Sequence, residues 1–449
     1  MEETRKYLKF GHKLAYGCGD LASNFCYTFV SAFVLIYLTD AIGLNAGVIG
    51  TLMLISRVLD GITDVASGTI IDRTKSRLGK ARFWMIITIP MVAVAEALLF
   101  AIPETSKTVQ YTYFFIVYTV LNDFFYTMNN VAYSTLSMLI TKNKDERVQL
   151  GAFRFIGTTI AGVLVSSATV SLVEAFGGGT AGWRTVGILY SVCFVLFSFV
   201  SVLPLKEVTS ETGTEAVGNE NSLWQNLGYL IHNKYFLESL LVGVLYNGFQ
   251  NILGAVGVYY MTYVLGDASL LGLFSLTMMA LIAGLILSPF LVRKIGIYKT
   301  NLYTMIGVCV MDVLFVLSAM VGSLGLMLLT NALRWFLCGP YIGNGGALTA
   351  EISKYTLLKD HTRVEASMFS CNSMGQKIGA GLGTALAGWL LASAGYDGLL
   401  AVQPAGAISM ISFMYVWIPL IFHVVITAIL AVQKVEKANE LLESEREKC

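Results

Sequence analysis

Arg57, Asp60, Thr63 and Asp64 place one cation, two carboxylates and a hydroxyl inside an apolar run that extends from 46 to 71. At about 100° per residue, Asp60 lies about 60° and Asp64 about 20° around a helix from Arg57, so the charges share one face. A charged side chain at the centre of a bilayer costs about 2.5 to 3.5 kcal/mol on insertion scales, so this face turns away from lipid. Two carboxylates one turn apart, with the Thr63 hydroxyl beside them, make a set of hard oxygen ligands for a small cation such as Na⁺. They can equally share a proton, because each carboxylate disfavours ionisation of the other. An Arg–Asp pair that only pins helices together requires one acid, and the second acid favours an ion site.

Other apolar runs carry groups suited to a polyhydroxylated ligand, whose hydroxyls must be re-paired when they leave water. Tyr16, Asp20, Asn24 and Tyr27 form a polar stripe at spacings 4, 4 and 3. Asn122, Asp123, Tyr126, Thr127, Asn129, Asn130 and Tyr133 crowd a single run. Arg154 opens the next, and Asn372, Ser373, Gln376 and Lys377 lie in a late one. Taken singly, such residues serve as glue between membrane helices; taken together they describe a polar cavity. Glu96, Asp312 and Arg334 are isolated charges for which pairing, or a place near a span end, is expected. Arg57, Arg73, Arg77, Glu351 and Arg363 are candidates for a gate or for structural pairing, together with Lys354 and Glu365 at the same end as Glu351. Gly375, Gly379, Gly381 and Gly383 read as close helix packing.

The elements that must hold these residues follow from composition. The chain has 449 residues, 55% hydrophobic and 13% charged, against about 25% charged in soluble proteins. Twelve apolar runs of membrane-spanning length, from 14–39 to 405–432, predict twelve transmembrane helices. An acidic, glycine-bearing stretch divides them six and six, which predicts a six-helix bundle over 1–205, a cytoplasmic linker over 206–234, a second bundle over 235–433 and a cytoplasmic tail over 434–449. Outside the spans every Lys and Arg except Lys107 and Arg184 falls on one side, so both termini are expected in the cytoplasm. The loop around Asp72–Lys80 and that around Arg293–Lys299 join the second and third helices of each half, as expected for two related halves. Thirty basic residues against 29 acidic ones argue against a nucleic-acid partner. The 7 cysteines lack metal-ligand spacing and read as packing residues. The N-terminus reaches Asp20 before it forms a signal-peptide core. No HExxH, GxSxG or P-loop motif is present, so an enzyme is not expected and any pumping must draw on an ion gradient.

At Tyr16–Asn24, Arg57–Asp64, Arg73–Lys80 and Gly375–Gly379 the chain resembles the glycoside-pentoside-hexuronide:cation symporters of the major facilitator superfamily. The likeness runs from about Lys13 to Val432. It implies an all-α fold of twelve transmembrane helices in two pseudo-symmetric halves, with the coupling cation on Asp60 and Asp64 and Thr127 as a further oxygen ligand. Thr63 stands where part of the family has asparagine, which leaves Na⁺ and H⁺ both open. The resemblance places substrate contacts at Asp20, Asn24, Tyr126, Asn130, Arg154 and Lys377, to which the polar pattern adds Asn372, Ser373 and Gln376. Asn24 and Asn130 replace aspartates of the family's galactoside pattern, and Asp20 with Asn24 is closer to its glucuronide pattern.

The expectation is therefore a multi-pass plasma-membrane symporter, monomeric and without a cofactor. It would take up a sugar, glycoside or hexuronide with Na⁺ or H⁺ by alternating access. A sodium-coupled lysolipid carrier and a non-transporting sensor of the same fold are the alternatives.

Overall fold

The computed structural model describes residues 8–141, 143–207, 223–360, 362, 365–400 and 402–446, and every element among them is helical. Eight helical stretches are long and apolar enough to cross a membrane. Four more crossings are hidden from that criterion for identifiable reasons. Helix α11 (Ala280–Val321) has 42 residues, about 63 Å at 1.5 Å per residue, twice the bilayer core, and Gly296 breaks it at φ 83° into two crossings. The fourth crossing is split into α4 (Lys107–Thr119) and α5 (Thr127–Leu139) by a π-helical turn, Val120–Tyr126. Helices α12 (Leu324–Gly343) and α13 (Gly345–Asp360) make one crossing, and the polar-studded α14 (Glu365–Ser393) another. The total is the expected twelve.

Contacts group the chain into two compact units, the first comprising Met1–Gly213, Gly254–Gly272 and Thr384–Met410 and the second the remainder. In the first unit α1 (Phe10–Ile36) packs on α6 (Lys144–Ala175) and α7 (Gly179–Val202), and α2 (Ala46–Arg73) packs on α5. In the second unit α11 packs on α12 and α16 (Ile418–Val432), while α14 lies against α9 (Lys234–Tyr259). That last contact uses the small-residue stripe: a Cβ at Gly379 would sit 2.3 Å from the Val244 carbonyl oxygen, and one at Gly383 2.0 Å from that of Gly248. Most of the acidic stretch expected as a linker lies outside the described residues; 223–232 form α8 (Leu223–His232). Residues after the last crossing form α17 (Val435–Arg446), which packs on α13.

The two halves of the sequence repeat one capping device. The third helix of the first half, α3 (Lys80–Leu99), starts after Gly79 at φ 98°, and Glu207 accepts the backbone N–H groups of Lys80, Ala81 and Arg82 at 3.0, 3.0 and 2.9 Å. The third helix of the second half starts after Gly296, and Glu436 accepts the N–H groups of Ile297 and Tyr298 at 2.9 Å each. Both acids follow the sixth helix of their half. Each satisfies orphan donors at a helix N-terminus, where negative charge also meets the positive end of the helix dipole. Both glycines are required by their positive φ, and at Gly79 a side chain would also collide with the capping carboxylate, 2.3 Å from a Cβ.

A half-buried acid ties the ends of helices. Asp40, in the π turn Tyr37–Ala41 that ends α1, accepts the hydroxyls of Thr39 at 2.7 Å and of Tyr263 and Tyr396 at 2.6 Å each. Tyr259 meets Thr39 at 2.9 Å, and its ring packs edge-on against Tyr396. All of these residues belong to the first unit.

Replacing either capping acid should weaken the fold. Glu207→Ala and Glu436→Ala are each expected to cost about 1 to 2 kcal/mol, read as a lower melting temperature of the detergent-purified protein. Glu→Gln at either position should cost less, because an amide oxygen still accepts; equal stability of both Ala variants and wild type would remove the caps from the stability account.

Candidate functional site

In the first unit, α2 and the π turn of the fourth crossing build a nest of oxygen atoms. Asp60 is 3% exposed; its Oδ1 accepts the Thr127 hydroxyl at 2.7 Å and its Oδ2 lies 3.7 Å from the Arg57 guanidinium one turn earlier. Ser56, on the same helix, donates to Asp123 Oδ2 at 2.8 Å, and both residues are fully buried. The extra residue of the π turn brings this about, since it re-aims Asn122 and Asp123 inward while Thr127 keeps its bond to the Asn122 carbonyl at 2.9 Å. Thr63 donates to its own helix at the Asp60 carbonyl, 3.0 Å, which leaves its oxygen lone pairs as potential ligands. Asp64 is half-buried one turn further along α2. The four oxygen residues expected from sequence therefore stand on two adjacent elements. Ser56 and Asp123 join them; Asp123 was legible only as one polar residue among several in its run.

A second charged group lies on α1 and α6. Arg154 grips Asp20 with two hydrogen bonds, Nε to Oδ2 at 2.5 Å and Nη2 to Oδ1 at 3.4 Å, and reaches Ser134 at 3.5 Å. Its guanidinium lies 4.8 Å from the centre of the Tyr133 ring, which stacks on Tyr16 at 4.5 Å. The two tyrosines exchange hydroxyl-to-carbonyl bonds, Tyr16 Oη to Tyr133 O at 3.0 Å and Tyr133 Oη to Tyr16 O at 2.6 Å. Asn24 donates to the Asp20 carbonyl at 2.8 Å and to Thr158 at 3.1 Å, so it also fastens α1 to α6. Tyr126 stacks on Tyr27 at 6.1 Å, and Asn130 is half-buried with no hydrogen-bond partner among the described residues.

The second unit carries its own polar pocket of about 470 Å³. Asn372, Ser373 and Gln376 of α14 line it as expected, joined by Tyr246 and Asn247 of α9 and Thr349 of α13. Among the described residues that line it there is no Asp, Glu, Lys or Arg. Lys377, next in sequence to Gln376, is half-buried and is not one of them. The α9 contributors were missed although Tyr246, Asn247, Gln250 and Asn251 cluster within six residues, because that cluster carries no charge to set it apart from helix-packing amides.

The remaining charged candidates divide by location. Arg73 and Arg77 are exposed where α2 ends and the following loop begins, and neither makes an ion pair with a described residue. Glu351 of α13 accepts the Asn439 side chain of α17 at 2.8 Å, and beside it Lys354 pairs with Glu443 at 2.9 Å. This fixes α17 on α13. Arg363 lies outside the described residues. Glu96 is fully buried near the end of α3, whereas Asp312 and Arg334 are paired at 3.2 Å.

Twelve membrane crossings in two repeated halves, with charged residues paired in mid-helix, define a multi-pass membrane protein of the major facilitator fold. The chain belongs to the family described as MFS/sugar transport protein, whose model matches residues 15–437, and within it to the glycoside-pentoside-hexuronide:cation symporters. It is 27% identical to the isoprimeverose transporter of Lactiplantibacillus pentosus, over 96% of this chain and 90% of that protein. It is 26% identical to the inner membrane symporter YicJ of Escherichia coli K12, over 94% and 91%. Among solved structures, the nucleoside transporter NupG superposes with a TM-score of 0.66 at 14% identity, covering 94% of this chain and 98% of that one. A D-xylose-proton symporter superposes at 0.65 and 13%, covering 95% and 99%. At these identities the structural likeness speaks to fold alone.

The Asp20–Arg154 pair makes a stability prediction. Removing one partner strands the other charge, so Arg154→Ala should cost about 3 kcal/mol, seen as a lower melting temperature in detergent. The double variant Asp20→Asn/Arg154→Gln should recover part of that loss. A double variant no more stable than the single one would mean that the two side chains are not energetically coupled.

Proposed function

We propose that this protein is a secondary active symporter that couples uptake of a sugar or glycoside to a cation, Na⁺ or H⁺, by alternating access. The observation that carries the reading is the buried oxygen nest on α2: Asp60, with the Thr127 hydroxyl on one oxygen and Arg57 beside the other, next to Ser56 and Asp123. The carboxylates of Asp60 and Asp123 and the hydroxyls of Ser56 and Thr127 are hard oxygen donors of the kind that suit a small cation or a shared proton. Thr63, Asp64 and Thr127 complete the proposed ligand set.

The relatives' names, an isoprimeverose transporter and a symporter, support a sugar as cargo. The uncharged pocket on α9, α13 and α14 supports a neutral glycosyl unit, since amides, hydroxyls and tyrosine rings pair with hydroxyls and stack on sugar faces. Arg154 is held by Asp20, which lowers its availability for a uronate carboxylate. Asp20, Asn24, Tyr126, Asn130 and Lys377 are proposed to complete the polar surface. The apolar pocket between α3 and α4 gives a lysolipid no support, because its Met91, Val94 and Ile116 are exposed as on any lipid-facing surface.

The coupling is tested in proteoliposomes with isoprimeverose, a methyl glucoside and a methyl glucuronide as cargo and imposed Na⁺ or pH gradients. Wild type should accumulate at least one neutral glycoside under one of the two gradients. Asp60→Asn and Asp64→Asn should each abolish uphill accumulation while retaining exchange, because coupling of about 1 to 3 kcal/mol between cation and sugar is lost. Normal accumulation by either variant would reduce the nest to a helix pin.

Orientation is tested separately. With both termini proposed to lie in the cytoplasm, a cysteine placed at Asn45 should react with an impermeant thiol reagent in intact cells, and one at Ser76 should not. Labelling of Ser76→Cys from outside would invert the topology.

A further inference from the structure

Four crossings of the second unit enclose a charged group that the oxygen nest does not use. Asp312 of α11 is 1% exposed and is held on both oxygens: Arg334 Nη1 of α12 donates to Oδ1 at 3.2 Å, and His423 Nδ1 of α16 meets Oδ2 at 2.6 Å. Arg334 is anchored further by the Asn331 side chain, which in turn donates to Thr277 at 2.6 Å, and its guanidinium lies 5.3 Å from the centre of the Phe315 ring. His423 is 1% exposed and packs edge-on against Phe249 of α9 at 4.6 Å. Its other ring nitrogen, Nε2, is buried and has no hydrogen-bond partner among the described residues.

Arg334 and Asp312 balance each other, and an ion pair is sufficient to pin helices. A pin has no need of an imidazole on the second carboxylate oxygen with its far nitrogen left for another partner. With Nδ1–H donating to Asp312, Nε2 is an acceptor, the group is neutral, and the ring lines a small pocket of about 10 Å³, shared with Gln250, Arg334, Trp335 and Cys338. That is the room of about one water molecule. Gln250 donates its side-chain amide to the Tyr246 hydroxyl at 3.0 Å, and Tyr246 lines the 470 Å³ pocket. One side chain therefore links the imidazole's pocket to the polar pocket of the same unit.

We propose that His423 is a proton-binding site, separate from the carboxylates of α2, whose occupancy is transmitted to the polar pocket through Gln250 and Tyr246. The proton comes from water and binds Nε2, giving an imidazolium that keeps its Nδ1–H on Asp312; release restores the lone pair on Nε2. The new Nε2–H requires an acceptor. Gln250 carries an amide oxygen in the same pocket, and turning it toward the ring withdraws its N–H from Tyr246, whose hydroxyl is then free for a ligand. The charged groups that face the ring are Asp312 of α11 and Arg334 of α12; Cys309 and Cys338 lie near the cluster on α11 and α12, and Tyr246 on α9. That Tyr246 bears on transport rests on the reading of the polar pocket as a sugar surface, whereas the proton site itself does not.

The test uses full-length protein in detergent with saturating Na⁺, carrying His12→Asn, His232→Asn and His361→Asn, so that His423 is its sole histidine. Nitrogen-15 NMR of the imidazole then follows its protonation between about pH 5 and 9. One titration with Nδ1 protonated throughout is expected, and Tyr246→Phe and Gln250→Met should each change proton affinity at least about twofold. A ring that stays in one state over the whole range overturns the site, and titration unchanged in both variants overturns its link to the pocket. If the triple replacement does not fold, wild type compared with His423→Gln, which keeps a donor for Asp312, identifies the same resonance. Isoprimeverose is then added. A sugar that binds and shifts the titration supports the link to transport, and one that binds without shifting it refutes that link. If none of the glycosides in the transport panel binds, the pocket reading falls while the titration still decides the proton site.

Discussion

The hydrocarbon interior tolerates no charge without a partner and no backbone donor without an acceptor, and the arrangement of this protein follows from that intolerance. Each basic residue placed within a crossing that has a described ion pair stands against a carboxylate: Arg57 with Asp60, Arg154 with Asp20, Arg334 with Asp312. Because each partner comes from a particular helix, or a particular turn of the same one, the pairs also dictate which helices lie together. Where backbone donors are exposed at helix starts, Glu207 and Glu436 supply the same service from the end of a sixth helix.

The repeated cap makes the kinship of the halves physical. A glycine in the left-handed region and an acid after the sixth helix recur in each, although the surrounding residues differ. The two halves carry different side chains on this common frame. The first half concentrates carboxylates and hydroxyls beside a π turn, whereas the second half offers a pocket of amides, hydroxyls and tyrosines, and in the same unit the Asp312, Arg334 and His423 cluster. In the proposed function, cation and sugar would meet different side chains, so that binding of one is felt by the other through the protein.

How much could be read beforehand depended on whether a signal was local. Arg57, Asp60, Thr63 and Asp64 lie within two helical turns, so helical geometry alone put their charges on one face. Asp20 and Arg154 were both legible as polar residues in apolar runs, but their mutual bond spans 134 residues of sequence and has no local trace. It matters because it turns Arg154 from an available donor into an occupied one. His423 left no signal at all: a single imidazole in an apolar run is ordinary, and only the approach of Asp312 across 111 residues gives it a chemical role.

The sequence by itself determined the class: twelve apolar runs, a one-sided distribution of Lys and Arg, and carboxylates too costly to bury without purpose, all consequences of transfer free energy that need no knowledge of contacts. The tertiary structure decided the pairing. Which oxygen of Asp60 meets Thr127, that Asp123 turns inward at a π bulge, that Glu436 returns to cap a helix begun 139 residues earlier, and that His423 meets Asp312 are all settled by packing between distant segments. Hydrophobicity sorts residues by depth in the membrane, and only close packing assigns each buried polar atom its partner.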